Sequence, residues 1–278
     1  MKTAIVTGAS SGIGRDLSIL LAREGYAIAL AARRIDTLEN IRRSILSEGG
    51  EAEVFRTDLS LIQDAEKLIE SVLERFGRID LLVNNAGYGV YGPIEEVSAE
   101  EIHRVFMVNT ISPAILISRA VRHMKKNKSG AIVNISSMAI YTPLPWLSLY
   151  TATKSSLKTL TDTLRIELKP FGIRVIGVYP GYVETDFHRS VVLTETSKRI
   201  GWSNRASRIA PVLSSMRVAE EIVRRLRDPR FNGDIVVGLS YRIFRSLSQH
   251  MNWVVSRSLE RIYVRRIREL LREEDSVH

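Results

Sequence analysis

The chain has 278 residues, of which 45% are hydrophobic and 26% charged, proportions typical of a globular protein and not of a disordered or fibrous one. It contains no cysteine, which excludes disulfides and thiolate catalysis and favours a reducing compartment, so we expect a cytoplasmic protein. The net charge is +9, and residues 201–278 carry 15 arginines against 9 acidic residues. This basic region is either solvated surface or a contact site for lipid, nucleic acid or another partner.

Strands and helices alternate along the sequence. Short runs rich in Val, Ile, Leu and Ala predict strands at residues 3–7, 27–32, 52–56, 80–85, 131–136, 174–179 and 234–238. Between them, amphipathic periodicity predicts helices such as Gly12–Glu24, Ile35–Glu48, Leu61–Phe76, Ala99–Lys125 and Tyr150–Lys169. Strands that are apolar along nearly their whole length need cover on both faces. The pattern therefore predicts an α/β fold, a Rossmann-type doubly wound parallel sheet of seven strands with helices on both faces.

The domain organisation follows from the absence of linkers and repeats. We expect one catalytic domain over residues 1–238, with no signal peptide before its first strand and no membrane-spanning run of apolar residues. The polar segment 186–215 is interpreted as a mobile lid. The spacing of apolar residues predicts a C-terminal helical extension over residues 239–278. This extension is amphipathic and basic, with eight arginines from Arg242 to Arg272. Three roles for the extension stay open: packing over the pocket or a neighbouring subunit, peripheral contact with an anionic membrane surface, or nucleic-acid binding, for which no recognition motif accompanies the charge.

A glycine-rich turn joins the first predicted strand to the first predicted helix. The sequence "GASSGIG" places glycines at 8, 12 and 14, with Ser10, Ser11 and Ile13 between them. Glycines at a strand-to-helix turn let the backbone approach a pyrophosphate, and the helix N-terminus supplies free N–H groups. The turn therefore predicts a dinucleotide site, the alternative being an ordinary glycine-rich connection.

Five motifs follow one another in register over residues 3–188. They are "TGASSGIG" at 7–14, "NNAG" at 84–87, "NISS" at 134–137, "YTATK" at 150–154 and "PGYVET" at 180–185, with Asn109 in the helix between the second and third. Together they resemble the classical short-chain dehydrogenase/reductase (SDR) family. The resemblance implies a nicotinamide cofactor and hydride transfer between a carbonyl and an alcohol.

Four residues match the catalytic positions of that family. Tyr150 and Lys154 lie one helical turn apart, so both side chains share a helix face. We expect Tyr150 to give or take the proton and Lys154 to lower the pKa of its phenol. The resemblance implies that Lys154 also holds the nicotinamide ribose. The resemblance implies that Ser137 anchors the substrate oxygen and that Asn109 positions a water in a proton relay. The alternative is a helix surface with an exposed aromatic and a lysine.

The resemblance also assigns the cofactor contacts. Besides Tyr150 and Lys154 they are Gly8, Ser10, Ser11, Gly12, Ile13, Gly14, Arg33, Arg34, Asp58, Leu59, Asn85, Ala86, Gly87, Pro180, Gly181, Val183 and Thr185. At the end of the second strand, "AARR" has Ala32 where an acidic residue would bind a ribose 2′-hydroxyl, followed by Arg33 and Arg34. A guanidinium can bind a 2′-phosphate with two hydrogen bonds, so we predict NADP(H) over NAD(H), with Arg33 as the preferred contact. Asp58 is also a candidate N-cap of the following helix.

The substrate end is less well defined by the sequence. We expect Ser137, Tyr141, Leu144, Trp146, Tyr150 and Tyr182 to line the substrate pocket, although a packing role for Tyr141, Leu144 and Trp146 is equally open. The histidines show no metal-ligand spacing, so we expect no metal. The sequence thus predicts an NADP(H)-dependent carbonyl reductase acting on an apolar ketone or aldehyde, as a homodimer or homotetramer without nucleic acid. The alternative is a non-catalytic NADP(H)-sensing protein with a membrane- or partner-binding tail.

Overall fold

The computed structural model describes residues 1–185, 187, 190–199 and 211–248, together with residues 253, 256, 257, 260, 261, 263 and 264. Parts of the predicted lid at 186–215 and most of the predicted extension at 239–278 lie outside the described residues.

Strands and helices alternate as the sequence predicts. The strands are β1 (Lys2–Thr7), β2 (Tyr26–Ala32), β3 (Glu51–Arg56), β4 (Leu81–Asn84), β5 (Val90–Tyr91), β6 (Gly130–Ile135), β7 (Ile173–Tyr179), β8 (Val183–Glu184), β9 (Val192–Leu193), β10 (Leu213–Ser214) and β11 (Asp234–Val236). The helices are α1 (Gly12–Arg23), α2 (Ile35–Ser47), α3 (Ile62–Phe76), α4 (Ala99–Phe106), α5 (Ser112–Lys126), α6 (Ser148–Glu167), α7 (Glu195–Arg199) and α8 (Ser215–Arg227). Residues 239–248 form a further helical stretch.

Seven of the strands form one parallel sheet in the order β11-β7-β6-β4-β1-β2-β3. The seven strands are the seven that the sequence predicts, so the Rossmann-type prediction is confirmed. The chain order reverses between β1 and β4, which creates a crevice at the carboxyl edge of the sheet. The remaining short strands pair as β5 with β9 and β8 with β10 beyond that edge.

Helices cover both faces of the sheet. One buried cluster combines the sheet with apolar side chains of α1, α2 and α8, and a second combines it with those of α3 and α5. Strand interiors such as Ile5 and Val133 are fully buried because each faces a helix layer. The sheet is therefore a rigid frame whose strand ends position the site.

The long predicted helix at Ala99–Lys125 is interrupted. A π-helical turn, Met107–Ile111, separates α4 from α5, and π-turns often occur at functional sites. The whole stretch Ala99–Lys126 is long and apolar enough to cross a membrane by length and composition. Its buried residues, Val105 and Leu116 among them, instead face the protein interior, as expected for a core helix of a folded domain.

Candidate active site

Glycines shape the turn between β1 and α1. Gly8 has φ +64° and Gly12 has φ +53°, both in the left-handed region that glycine adopts without strain. A Cβ on Gly8 would lie 2.9 Å from the Cα of Ala86, and one on Gly14 would lie 2.5 Å from Nδ2 of Asn85. The turn therefore packs directly against the segment after β4, and only glycine fits there. Such a cradle fits the pyrophosphate of a dinucleotide.

The segment after β4 is fixed to the same turn by Thr7 and Asn85. The backbone N–H groups of Asn85 and Ala86 both donate to Oγ1 of Thr7, at 3.0 and 3.1 Å. The Asn85 amide donates to the carbonyl oxygens of Thr7, at 2.9 Å, and Gly8, at 3.2 Å. These bonds join the first two motifs of the sequence into one wall.

A cavity of about 1100 Å³ opens at the carboxyl edge of the sheet. It exceeds the usual volume of a site for one small ligand, so it has room for a dinucleotide and a substrate together. Of the predicted cofactor contacts, it is lined by Gly8, Ser10, Ser11, Gly12, Ile13, Arg33, Arg34, Asp58, Leu59, Asn85, Ala86, Gly87, Tyr150, Lys154, Pro180, Gly181, Val183 and Thr185. The predicted substrate contacts Ser137, Leu144 and Tyr182 line it too. Gly14 and Asn109 lie behind this wall.

Asn109 is fully buried and lies in the π-helical turn. Its amide Nδ2 donates to the Tyr88 carbonyl at 2.9 Å and to Oγ1 of Thr153 at 3.0 Å, while its Oδ1 accepts the Tyr88 N–H at 3.1 Å. The side chain thus fixes both the segment after β4 and the start of α6. A Cβ on Gly87 would lie 3.0 Å from Oδ1 of Asn109 and 3.1 Å from Nζ of Lys154, so both atoms border the same small space.

Ser137, Tyr150 and Lys154 come together at the cavity. Ser137 follows β6, and its Oγ accepts the Ala139 N–H at 3.1 Å. Lys154 is 4% exposed, and its Nζ donates to the Ile135 carbonyl at 2.9 Å. Tyr150 lies one turn before Lys154 on α6, with its ring centroid 5.6 Å from that of Phe187.

Burial dominates the pKa values of Tyr150 and Lys154. Burial raises the pKa of the Tyr150 phenol, and a hydrogen bond with Ser137 offsets only part of the rise. Burial also lowers the pKa of Lys154 to about 8. The lowering of the Tyr150 pKa by Lys154 stays a prediction. Desolvation of the phenolate sets the direction for Tyr150 here, and the Lys154 ammonium bonds the Ile135 carbonyl.

Positive side chains gather at the end of the cavity nearest β2. Arg33, Arg34 and Arg104 all line it. Arg34 donates to Oγ of Ser10 at 3.0 Å, whereas Arg33 makes no hydrogen bond or ion pair within the described part of the chain. Burial would raise the pKa of the Asp58 carboxyl, but hydrogen bonds from Ser60 and the charge of Arg33 lower it overall. Leu61, not Asp58, is the N-cap of α3; Asp58 instead accepts the Ser60 N–H at 3.0 Å.

Two predicted pocket residues lie elsewhere. Tyr141 packs edge-on against Tyr179 at 5.9 Å, with the Arg245 guanidinium 5.4 Å above its ring, and it does not line the cavity. Trp146 also lies behind the wall, where its indole N–H donates to the Tyr263 hydroxyl at 2.9 Å. Each of these two rings packs against another aromatic ring, and that of Tyr141 also against a cation. Tyr141 and Trp146 therefore have packing roles, which was the alternative to lining the pocket.

Residues 2–196 match the family model described as short chain dehydrogenase. The chain belongs to the short-chain dehydrogenase family. It is therefore an oxidoreductase with a nucleotide-binding Rossmann fold, and the motif-based resemblance is confirmed.

Known proteins resemble this chain in sequence and in structure. The 11-beta-hydroxysteroid dehydrogenase A of Sesamum indicum is 32% identical over 226 residues, which are 80% of this chain and 65% of that protein. An alcohol dehydrogenase from Thermococcus sibiricus, complexed with 5-hydroxy-NADP, is 31% identical with a TM-score of 0.74 over 87% of this chain and 97% of that one. A short chain dehydrogenase/reductase from Burkholderia phymatum, in complex with NAD, is 26% identical with a TM-score of 0.81 over 92% and 95%.

Some cavity residues of this family member were not predicted from the sequence. They include Arg104, Phe187, Ser240, Tyr241 and Phe244. Arg104 lies five residues after the start of α4 and belongs to none of the motifs, and the last three come from beyond the final strand. The amphipathic pattern of the extension places Phe244 on its apolar face, but it does not predict which surface of the protein that face contacts.

Proposed function

We propose that this chain is an NADP(H)-dependent oxidoreductase that interconverts a carbonyl and an alcohol, mainly reducing an apolar ketone or aldehyde of the acyl or sterol-like class. One observation carries the proposal. A single cavity has the hydroxyls of Ser137 and Tyr150 and the Lys154 amine at one end, and the guanidinium groups of Arg33 and Arg34 at the other. The set combines proton-transfer groups with a site for an anionic nucleotide.

Ser137 and Tyr150 act on the carbonyl oxygen. The Ser137 Oγ accepts the Ala139 N–H, and its hydroxyl also hydrogen-bonds the Tyr150 phenol, so a substrate oxygen bound beside the two hydroxyls would take the Ser137 proton in place of the phenol oxygen. A bound nicotinamide would supply the hydride to the carbonyl carbon. Tyr150 gives its phenolic proton to the oxygen as negative charge develops there. The raised pKa keeps this phenol protonated at neutral pH, which suits reduction.

Lys154 and Asn109 complete the proton path in the proposal. With a pKa of about 8, the Lys154 ammonium can release a proton near neutral pH and return it towards the Tyr150 phenolate. Gly87 leaves space beside both Oδ1 of Asn109 and Nζ of Lys154. This arrangement supports a relay in which Asn109 holds a water next to the lysine.

The arginines support NADP(H) over NAD(H). Arg33 is exposed, lines the cavity and has no carboxylate bonded to it within the described residues. A 2′-phosphate would offer it a charge-assisted, two-fold hydrogen bond. Similar structures hold either cofactor, so the fold does not decide the preference and the residues at this strand end must.

The lining near Tyr150 supports an apolar substrate. Leu144, Leu147 and Phe187 line the cavity there, and Phe187 packs its ring against that of Tyr150. Apolar and aromatic walls with a few polar groups are typical of sites for lipophilic ligands. The sesame relative, named for an 11-beta-hydroxysteroid, is in keeping with this class.

We propose a homo-oligomer as the working form. Ile111, at the junction of α4 and α5, is 38% exposed, and Ile166, near the end of α6, is 77% exposed. Large apolar side chains left open on these helices support a subunit interface there.

The test is NADPH oxidation by ketones and 3-oxoacyl compounds of increasing tail length, with NADH in parallel. We expect turnover that prefers NADPH and rises with tail length. A Tyr150→Phe variant should lower kcat by about 10²- to 10⁴-fold, because the proton donor is removed. Its dissociation constant for NADPH should stay unchanged, and this is measured by fluorescence titration. Equal rates for wild type and Tyr150→Phe would disprove the assigned chemistry and favour the sensing alternative.

A further inference from the structure

The chain beyond β11 turns back onto the active-site cavity. Ser240, Tyr241 and Phe244, all in the helical stretch 239–248, line it. Tyr241 is the buried member, with 7% of its surface exposed. Arg245 holds this stretch to the sheet, because it donates to the β11 carboxylate of Asp234 at 2.6 Å. The extension is thus part of the cavity wall.

The hydroxyl of Tyr241 joins two distant parts of the chain. It accepts the backbone N–H of Tyr182 at 2.9 Å and donates to the carbonyl of Pro211 at 2.7 Å. Beside it, the Leu213 N–H donates to the Tyr182 carbonyl at 2.9 Å, where β8 and β10 pair. Tyr182 and Pro211 both line the cavity, so one hydroxyl fixes the spacing of two wall segments.

The ring of Tyr241 occupies the space above Gly181. A Cβ on Gly181 would fall within the ring, in contact with its Cε1, Cζ and Cε2 atoms. Gly181 does not have a positive φ, so its missing side chain is explained by this close approach and not by backbone conformation. The tyrosine therefore packs flat on the segment that leads to Val183 and Thr185. Thr185 in turn approaches Gly12, where a Cβ would lie 2.9 Å from its Cγ2.

A second tail residue contacts the opposite loop. The Tyr263 hydroxyl accepts the indole N–H of Trp146 at 2.9 Å, and the two rings meet edge-on at 6.0 Å. Trp146 has φ +66°, which costs a non-glycine residue about 1–2 kcal/mol and needs surrounding contacts to hold it. Trp146 lies between Ser137 and Tyr150 in the chain. The extension is therefore bonded to both loops that flank the substrate end.

We propose that Tyr241 is a positioning residue for substrate recognition, and that with Phe244 it sets how well the apolar tail of the carbonyl compound fits. The substrate part of this statement rests on the proposed function. Tyr241 does not touch the reacting atoms; it acts by holding Tyr182 and Pro211 at a fixed separation. A tail bound against a fixed wall loses less side-chain freedom on binding than one bound against a loose wall.

Tyr241→Phe is the direct test, because the variant keeps the ring on Gly181 and loses both hydrogen bonds. Tyr179→Phe is the matched control, since the Tyr179 hydroxyl is fully buried and has no hydrogen-bond partner within the described residues. For the longest-tailed ketone, we expect Tyr241→Phe to raise KM by at least about fivefold. We expect the kcat of Tyr241→Phe and its dissociation constant for NADPH to stay within about twofold of wild type. For Tyr179→Phe we expect KM, kcat and the dissociation constant for NADPH all to stay within that range.

A second readout does not depend on turnover. In Tyr241→Phe the amide of Tyr182 loses its acceptor, so its hydrogen exchange should be at least about tenfold faster than in Tyr179→Phe, with strand amides of β1 unchanged. If wild type reduces none of the ketones, the proposed function fails, and this exchange measurement still decides whether Tyr241 positions the wall.

A third variant covers the case in which Tyr241→Phe does not fold. Phe244→Ala removes a partly exposed ring from the wall, and we expect it to flatten the dependence of kcat/KM on tail length. Two results would overturn the proposal. The first is that Tyr241→Phe has the same KM and the same Tyr182 amide exchange rate as Tyr179→Phe. The other is a Tyr241→Phe variant that does not fold together with an unchanged tail-length profile in Phe244→Ala.

Discussion

The nucleotide end and the substrate end of the cavity are built by different means. The nucleotide end is built mainly on backbone: the turn at 7–14 packs on the segment 84–87, with Gly8 and Gly14 where the two approach closely, and arginine side chains border it. The substrate end consists of side chains from three separate parts of the chain: the stretch 137–147, described residues between Tyr182 and Pro211, and the stretch 239–248. A site made of backbone needs a fixed short motif, whereas a site made of side chains tolerates many combinations. The nucleotide end is therefore readable from short motifs in the sequence, whereas the substrate end is not.

The strongest test of the backbone-built end is Gly8→Ala. The variant combines a left-handed φ with a Cβ only 2.9 Å from the Cα of Ala86, so either the turn or the segment after β4 must move. We expect the affinity for NADPH to fall by about a hundredfold or more, by analogy with other strained and crowded positions. The measurement is fluorescence titration of NADPH together with thermal unfolding.

Gly25→Ala separates crowding from backbone strain. Gly25 has φ +81°, yet a Cβ there would meet nothing within 4 Å. This variant should lose about 1 kcal/mol of stability, the cost of the left-handed conformation alone, and bind NADPH as wild type does. Equal loss of affinity in both variants would mean that general destabilisation, and not the fit of the cradle, explains the result.

The same contrast explains how far the sequence predicts the structure. All seven sheet strands are predicted within two residues at each end, because buried parallel strands are continuous apolar runs. The glycine turn is readable because few residue types adopt its φ values. Tyr141 and Trp146 were assigned to the pocket from chain position alone, and their actual partners, Tyr179 and Tyr263, are remote in sequence. Tyr241 was missed for the same reason: its partners lie 30 or more residues away.

Arg33→Ala tests whether the nucleotide end also contains one decisive side chain. A hydrogen bond to a charged group contributes about 1.5–3 kcal/mol, so we expect KM for NADPH to rise about 10- to 100-fold and KM for NADH to stay unchanged. Arg43→Ala is the control, an exposed arginine of α2 that donates to Asn40 at 2.5 Å and does not line the cavity. If both cofactors respond equally to Arg33→Ala, the arginine contributes only general positive charge. If Arg34→Ala produces the selective loss instead, the phosphate contact belongs to the second arginine.

Lys154 lies where the nucleotide end and the substrate end of the cavity meet. The smallest effect that we expect is a dependence of kcat/KM on the ionisation of its amine. Below about pH 8 its amine is protonated, and above that it is neutral, because burial lowers its pKa to about 8. Reduction consumes a proton, so kcat/KM for the ketone should be constant below pH 8 and fall about tenfold per unit above it. The Tyr150 phenol does not account for such a fall, since burial moves its pKa upwards.

Two variants and one equilibrium measurement identify the titrating group. The arginine of Lys154→Arg stays charged throughout this pH range, so the kcat/KM of that variant should no longer decrease above pH 8. Lys158→Arg is the control, because Lys158 lies one turn further along α6 and is paired with Asp162. Its kcat/KM should still decrease above pH 8. In the unfolded chain lysine titrates near 10.4, so between about pH 8 and 10.4 the unfolded state binds more protons than the folded one. The Lys154 contribution to the free energy of unfolding should therefore rise with pH across that window, and it is measured as the difference between wild type and Lys154→Arg, in which the buried tyrosines titrate alike. A difference that does not change with pH would show that Lys154 retains its ordinary pKa, and that the junction is more open to water than its burial implies.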